Sequence, residues 1–523
     1  MPGENRIMQL QTLLTALEQP PLALLTVDGL KDVDAFVGDT EISALAYDSR
    51  QVVPGGLFVA VPGTHTDGRR FLAEAARRGA VVALGESPGM PASALPLPYI
   101  EVRDVRIALA NLACTFYGYP ARRLCTIGIT GTDGKTTTSN LISAIFDNAG
   151  RPTGLMTTAN FKIRGQEWEN ATRQSTLEAL EVQQFLRRML EAGVSHAVIE
   201  STSHGLELRR VHGCEFDVGV VTNITHEHLD FHKTIEGYRR AKARLFEMLD
   251  PQRDKGLGCR PVAILNRDDS SYEILKPYCR VPILDYGIDT PAAVRAVDLQ
   301  LQADCTRFRA VLPEAEIAIE TRLVGRFNVS NCLAAIATAY SQGIAPAAIA
   351  RGLASVTGVT GRMERIDEGQ PFTVIVDYAH TPDSLEKVLA ILRPLTAGKL
   401  MVVFGSAGER DVQKRPVMGR IAAQMADFFV ITDEDPREEE REKILDEIAQ
   451  GAEAAGKRRG RDFLCIADRT EAIARAFAQA KAGDTILLAG KGHEQSIIIG
   501  REKFPWDDRR VAREQLKRLL KAS

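Results

Sequence analysis

The sequence predicts an α/β protein of three domains, with a central parallel sheet of the P-loop type and a Rossmann-like domain at its C-terminal end. Three observations carry this. Apolar runs alternate with helical stretches over residues 121–358, the pattern of a parallel sheet covered by helices. One run, Cys125–Thr130, enters the glycine-rich turn Gly131-Thr-Asp-Gly134, followed at once by Lys135 and three threonines. The alternation resumes beyond residue 359, and 523 residues hold three or four domains at about 150 residues each.

Residues 1–120 contain the short apolar runs 57–61 and 80–84, with a helical segment over 70–78 between them, which reads as a small α/β domain. In residues 121–358 the strands are expected at 125–130, 196–200, 218–222 and 262–265, with a helix over 136–148. The glycine-punctuated stretch 356–362 has the composition of a linker. In residues 359–523 the expected strands are 372–377, 400–404, 428–432 and 485–489. The charged run Arg437–Lys443 reads as a solvated helix start, although its first residue has a second reading below.

Charge excludes several function classes. Lys and Arg number 65 against 68 Asp and Glu, a net charge of −3, so no global field recruits nucleic acid or a membrane surface. No apolar run approaches the roughly 20 residues of a membrane span, and no basic segment followed by an apolar one opens the chain. The eight cysteines (Cys114, Cys125, Cys214, Cys259, Cys279, Cys305, Cys332 and Cys465) lack paired spacing, so the sequence offers no zinc or disulfide framework. A cytoplasmic, monomeric protein without nucleic-acid partners or membrane insertion is expected.

The turn after Cys125–Thr130 has the chemistry of a phosphate cradle. Gly131 and Gly134 let backbone N–H groups approach phosphate oxygens, Lys135 neutralises them, and the helix N-terminus adds partial positive charge. Thr132, Asp133 and Thr137 complete the loop, and the Thr136 hydroxyl is placed to ligate Mg²⁺. Ile129 stands where the general P-loop pattern has glycine. ATP binding follows. Two further polar clusters end apolar strands, where open α/β sheets bind ligands. They are Glu200-Ser-Thr-Ser-His204-Gly and Thr222-Asn-Ile-Thr-His226-Glu-His228-Leu-Asp230, and Glu200 and His228 offer oxygen and nitrogen to a divalent cation.

These motifs resemble those of the Mur ligases, ATP-dependent amide-forming enzymes of peptidoglycan assembly. The resemblance extends in order through Tyr238-Arg-Arg-Ala-Lys242-Ala-Arg-Leu-Phe246, Gly325-Arg-Phe-Asn328-Val-Ser-Asn331, Asp377-Tyr-Ala-His380-Thr-Pro, Lys414-Arg-Pro, Asp435-Pro-Arg437 and Gly490-Lys-Gly-His-Glu494. Near the N-terminus, Asp48-Ser49-Arg50 and Asp67-Gly68-Arg69 resemble the branch that adds the third stem-peptide residue.

That resemblance implies a reaction and its residues. The carboxylate of UDP-N-acetylmuramoyl-L-Ala-D-Glu would take the γ-phosphoryl group of ATP, and an amine would displace phosphate from the acyl phosphate. Catalysis would rest on Lys135, Glu200, His228 and Lys242, with two Mg²⁺ held by Thr136, Glu200, His228 and a CO₂-derived carbamate on Lys242. Asn328 and Asn331 would face adenine, Asp377 the ribose, and His380 the nucleotide segment. Asn328 also reads as the cap of a helix beginning at Val329. The UDP-sugar end would be met by Ser49, Thr64, His65, Thr66, Gln174, Ser175, Thr176, Thr202 and Arg210. Gln174, Leu177 and Leu208 depart from the commoner residues there.

The amino acid would be chosen by Arg410, Glu434, Asp435, Pro436, Arg437, Gly490 and Glu494. An arginine fork suits a carboxylate, so Arg437 favours meso-diaminopimelate, while the common Asp-Asn-Pro-Arg reads Glu434-Asp-Pro-Arg here, with Asp435 in place of Asn adding an acid suited to an ammonium group. Lysine or ornithine, and sister ligases such as folylpolyglutamate synthase, are the alternatives, with a non-catalytic nucleotide-binding scaffold as a different class. Adenine and ribose residues fall on opposite sides of 356–361, so closure of the third domain is expected to complete the site.

Overall fold

The computed structural model describes residues 7–31, 36–38, 40–63, 66–172, 174–225, 229–302 and 305–522. The chain divides into two compact units. The first comprises Met1–Trp168, Gln174–Arg295 and Ser330–Ile349; the second comprises Glu169–Arg173, Ala296–Val329 and Ala350–Ser523.

Two main sheets build the first unit, beside a short ladder of Met8–Gln9 with Glu41–Ile42. In the smaller, Ala44–Ala46, Gly56–Val59, Ala80–Gly85 and Tyr99–Glu101 run parallel, and Ala23–Thr26 joins antiparallel beside Tyr99–Glu101. Side chains alternate across it, as strand geometry requires. Leu57, Val59, Val82 and Leu84 meet the helix Val105–Phe116 on one face, while Phe58 and Ala83 pack with Leu72 and Ala75 on the other.

In the larger sheet, the parallel order is Thr153–Met156, His196–Glu200, Cys125–Thr130, Val218–Val221, Val262–Asn266 and Ile283–Gly287. Cys125–Thr130 is buried at every residue, as expected of a strand covered on both faces. The chain runs from it outward to Thr153–Met156, then returns to place its next strands on either side. Loops after the three adjacent strands His196–Glu200, Cys125–Thr130 and Val218–Val221 therefore open at the same carboxyl edge, the position of ligand crevices in such sheets. The antiparallel strand Asn160–Ile163, paired to Thr153–Met156, lacks a clear sequence signal.

In the second unit Thr373–Asp377, Thr485–Ala489, Leu400–Phe404, Phe428–Ile431 and Phe463–Cys465 form a parallel sheet, extended antiparallel by Glu364–Ile366. Helices Pro382–Leu392, Lys414–Met425 and Arg441–Ala454 cover one face through Leu389, Met418 and Ile448. Arg469–Gln479 and Asp508–Ala522 cover the other through Ile473, Phe477 and Leu516. This is the doubly wound, Rossmann-like arrangement expected from the alternation. An antiparallel ladder, Thr306–Val311 with Glu316–Thr321, also belongs to this unit.

Two local expectations need correction. The helix containing Asn328 runs from Arg326 to Ser341, so Asn328 lies in its first turn rather than at its cap. Its Nδ2 donates to the Val324 carbonyl at 2.9 Å. The run Arg437–Lys443 is not a helix start throughout: the helix begins at Arg441, and Arg437 takes a left-handed backbone with φ 56°. The stretch 356–361 lies inside the second unit, where the Gly361 backbone packs on Gly492 and His493.

Candidate active site

The phosphate loop is fixed by the strand end beside it. Thr132 N donates to Asn223 O at 2.8 Å, Asp133 N to Asn223 Oδ1 at 3.0 Å, and Thr222 Oγ1 to Asp133 O at 2.6 Å. Thr132 Oγ1 and the Tyr238 hydroxyl lie 3.0 Å apart. Both glycines are required by geometry. Gly131 has φ 150° and Gly134 φ 81°, and a Cβ would come within 1.8 Å of Thr222 Oγ1 at the first and 2.3 Å of Asn331 Oδ1 at the second. The helix Lys135–Asn148 starts immediately after Gly134, so its first-turn N–H groups open toward the loop. Lys135 Nζ donates to Thr132 O at 2.6 Å, on the loop it would neutralise.

Glu200, at the end of the neighbouring strand and 2% exposed, meets this helix. Its Oε2 accepts from Thr136 Oγ1 at 2.9 Å and from Thr158 N at 2.9 Å, and its Oε1 accepts from Thr158 Oγ1 at 2.8 Å. A buried carboxylate beside a hydroxyl at the mouth of a phosphate loop is a hard oxygen pair suited to magnesium. Thr158 has no motif of its own and was not legible in the sequence.

Lys242 is buried to 1% exposure on the helix Ile235–Glu247. Its Nζ donates to Gly131 O at 2.6 Å and lies 4.4 Å from the centre of the Tyr238 ring. It is therefore built into the phosphate loop, whereas a lysine on an amphipathic helix is ordinarily solvated. His228 lies outside the described residues. Asn331 reaches the same loop, its Oδ1 accepting from Thr138 Oγ1 at 3.3 Å.

Of the residues expected at the UDP-sugar end, Thr64 and His65 lie outside the described residues. Thr176 and Thr202 form a hydroxyl pair 3.0 Å apart, and Thr176 Oγ1 donates to the Glu200 backbone carbonyl at 2.9 Å. Arg210 NH1 donates to Thr176 O at 3.0 Å and its NH2 meets Glu178 Oε1 at 2.6 Å. Glu178 also lies 3.6 Å from Arg106, so two guanidinium groups share one carboxylate. Arg106 and Glu178 carry no motif and were missed. Gln174 and Ser175 lie on the same segment and are half-buried, Thr66 is exposed, and Ser49 is buried with its hydroxyl spent on Glu74 at 2.9 Å.

The second unit holds the remaining expected residues. Asp377 ends its strand and accepts from Met363 N at 2.8 Å and Ala379 N at 2.9 Å. His380 lies on Tyr378, and its backbone carbonyl accepts from Lys414 Nζ at 2.8 Å. Burial, with Lys414 adding to it, holds the His380 imidazole below its ordinary pKa.

Asp435 Oδ1 accepts from the fully buried Lys491 Nζ at 2.9 Å, and Lys491 also reaches Glu494 at 2.5 Å. Pro436 is buried between Asp435 and Arg437. Two charged groups here each carry one buried atom without a hydrogen-bond partner among the described residues. Glu434 is buried, and its Oε2 has no hydrogen-bond partner among the described residues; burial pushes its carboxyl pKa up. Arg437 is half-buried, its Nε likewise lacks a partner among the described residues, and its nearest carboxylate, Glu409, is 3.9 Å away. Gly490 borders the Glu434 side chain, while Arg410 is exposed on the loop after Leu400–Phe404.

Comparison with known proteins gives family matches along the chain. The Mur ligase family catalytic domain matches residues 41–117, the Mur ligase middle domain residues 129–339, and the Mur ligase glutamate ligase domain residues 361–492. The chain is 50% identical to the UDP-N-acetylmuramyl-tripeptide synthetase of Roseiflexus sp. (strain RS-1), over 92% of this chain and 95% of that protein. It is 43% identical to the UDP-N-acetylmuramoyl-L-alanyl-D-glutamate–2,6-diaminopimelate ligase of Geobacillus thermodenitrificans (strain NG80-2), over 92% of this chain and 96% of that one. A solved structure of a UDP-N-acetylmuramoyl-L-alanyl-D-glutamate–2,6-diaminopimelate ligase matches with TM-score 0.63 and 31% identity, covering 94% of this chain and 98% of the other. Among the described residues, no helix is long and apolar enough to cross a membrane.

Proposed function

The chain belongs to the Mur ligase family, and from that membership we propose that it joins meso-diaminopimelate to UDP-N-acetylmuramoyl-L-Ala-D-Glu at the expense of ATP. It is an ATP-dependent acid–amino-acid ligase of peptidoglycan precursor synthesis. The substrate carboxylate attacks the γ-phosphorus, the bond to the β-phosphate oxygen breaks, and ADP leaves. The amine of the diamino acid then attacks the acyl phosphate carbon. Phosphate departs from the tetrahedral intermediate and a proton is lost from nitrogen, leaving the amide.

The residues of this chain serve mainly to position and neutralise, because three anionic groups must be brought together. Gly131–Gly134 and the first turn of Lys135–Asn148 receive the phosphates, with Lys135 as mobile countercharge. Magnesium, when bound, supplies charge neutralisation at the transferring phosphoryl group, and Thr136, Glu200, His228 and a carbamylated Lys242 are the residues to hold it. The fit rests on the Thr136–Glu200 oxygen pair, 2.9 Å apart and buried at the mouth of the glycine cradle. Carbamylation turns a buried cation into an anion: the neutral Nζ forms a bond to CO₂ and one proton is released. The Arg106–Arg210 pair suits the anionic end of the sugar nucleotide.

Selection of the diamino acid is assigned to the second unit. Arg437 offers a guanidinium to a carboxylate and Glu434 a carboxylate to an ammonium, so the two groups match the zwitterionic end of meso-diaminopimelate. Arg410, Asp435, Gly490 and Glu494 frame them, and Asp377, His380 and Asn328 are assigned to the nucleotide. The observation that carries this choice is the half-buried Arg437 with its partnerless Nε, since lysine and ornithine bring no second carboxylate for it. Parallel steady-state assays with meso-diaminopimelate, lysine and ornithine test it; a hundredfold preference for lysine would overturn the assignment.

A further inference from the structure

Three metal-ligating side chains meet at the end of the central sheet opposite the phosphate loop. Cys125 and His196 are the first residues of adjacent parallel strands and are register partners in that ladder. Their side chains therefore share one face. Cys259 comes from the segment just before Val262–Asn266. Its sulfur, that of Cys125 and a ring nitrogen of His196 all lie within 4.8 Å of one another.

The histidine is oriented as a ligand. Its Nδ1 lies 2.8 Å from Ser195 Oγ, and that hydroxyl lies 3.1 Å from the Pro152 carbonyl, to which it can only donate. Ser195 therefore accepts from Nδ1–H, which fixes the tautomer and leaves the lone pair on Nε2. An outer hydrogen bond of this kind is the usual support of a metal-bound imidazole. Charge is also suitable. Two thiolates balance a divalent ion, and the nearby Asp217 is already paired with Lys255 at 2.7 Å. Cys125 is fully buried and Cys259 only half-buried, so the cluster has an entry from the Cys259 side.

We propose that Cys125, His196 and Cys259 form a site for a thiophilic divalent ion, zinc by its donor set, completed by a water molecule. Tetrahedral zinc brings S and N donors to roughly 3.4–3.8 Å from each other, so binding draws the donors in by about 1 Å. Two S–H bonds break, two Zn–S bonds form and two protons pass to solvent, with no change of oxidation state. The ion would tie together the amino ends of two sheet strands and the segment leading into a third. The site lies a six-residue strand away from the phosphate loop, about 20 Å at 3.3 Å per residue, so it has a structural rather than a chemical part in the reaction.

The test uses the full chain, reduced and stripped with a chelator, then titrated with zinc against a chromophoric competitor and separately with cobalt. The expected result is one ion per chain, two protons released, a thiolate-to-cobalt charge-transfer band and two thiols protected from alkylation. Cys259→Ser, at a half-exposed position, and His196→Gln should each weaken binding by more than the roughly 10–100-fold typical of losing an outer partner. Cys465→Ser, in the second unit, should leave affinity unchanged. Absence of stoichiometric binding, binding undiminished in Cys259→Ser, or a Cys125–Cys259 disulfide forming in a protein that takes up no metal after reduction would each overturn the proposal.

Discussion

The Thr136 hydroxyl donates to the Glu200 carboxylate across 2.9 Å, joining the first turn of the phosphate-loop helix to the end of the adjacent strand. Neither residue is exposed, and Thr158 fixes both carboxylate oxygens of Glu200. Glu200→Gln keeps the shape, with its amide NH₂ donating to Thr158 Oγ1 where the carboxylate accepted from it, but removes the charge offered to magnesium. Turnover should fall roughly 100-fold or more, with a higher magnesium requirement and an unchanged melting temperature. A magnesium titration of phosphate release in the variant checks this; wild-type turnover would remove Glu200 from the metal site.

Gly134→Ala adds a methyl group 2.3 Å from Asn331 Oδ1 at a backbone φ of 81°. Both effects oppose it, with backbone strain alone costing about 1 kcal/mol or more. ATP affinity should drop sharply in the variant, measured by calorimetry on protein shown to be folded by circular dichroism. Unchanged affinity would mean that the loop is not the phosphate cradle.

Lys242→Ala removes the Nζ that donates to Gly131 O and any carbamate formed on it. Turnover is expected to fall roughly 100-fold or more and to recover partly when short-chain carboxylic acids are added. Lys242→Met, which preserves volume, should be rescued less because less space remains. Near-full activity of Lys242→Ala would exclude the carbamate.

Much of this arrangement was legible in the sequence, and the limits have physical causes. The phosphate loop announces itself because strand, glycine turn and helix are contiguous, and Glu200 because it ends a clean apolar run. Thr158, Arg106 and Glu178 were not visible, since each acts through a neighbour brought by strand register rather than by chain position. The same holds for Cys125, His196 and Cys259, whose spacing in the chain carries no metal pattern. Asn328 was misplaced as a cap because Gly325, with φ 93°, turns the chain before Arg326 and starts the helix earlier.

Arg437→Ala should raise KM for meso-diaminopimelate by at least about tenfold with a smaller change in kcat, the loss of one charge-assisted contact. Lysine, lacking the second carboxylate, should be affected little. Burial raises the Glu434 pKa, so the carboxylate that would receive the ammonium is lost earlier on acidification than an ordinary one. KM for the diamino acid should therefore climb as pH falls, and Glu434→Gln should flatten that profile.

His493 is held neutral by burial and then by Arg362, its pKa lowered from 6.5 to about 3. Above 6.5 neither folded nor unfolded chain binds this proton, and the stabilising contribution is fully present. Below 6.5 only the unfolded chain binds it, so stability falls with pH until the folded value is reached, by at most about 1.4 kcal/mol per pH unit. The urea midpoint should accordingly drop less between about pH 7 and about pH 5 in His493→Gln than in the parent chain. Equal drops would show that His493 protonates in the folded protein.

The acyl phosphate is the central claim, and oxygen tracing tests it most directly. UDP-N-acetylmuramoyl-L-Ala-D-Glu labelled with ¹⁸O in its reacting carboxylate is incubated with ATP, magnesium and meso-diaminopimelate, and the phosphate formed is analysed by mass. The expected result is phosphate carrying an ¹⁸O from the substrate, in amounts equal to the tripeptide product. Unlabelled phosphate, or ATP hydrolysis with no lengthened peptide, would contradict the account.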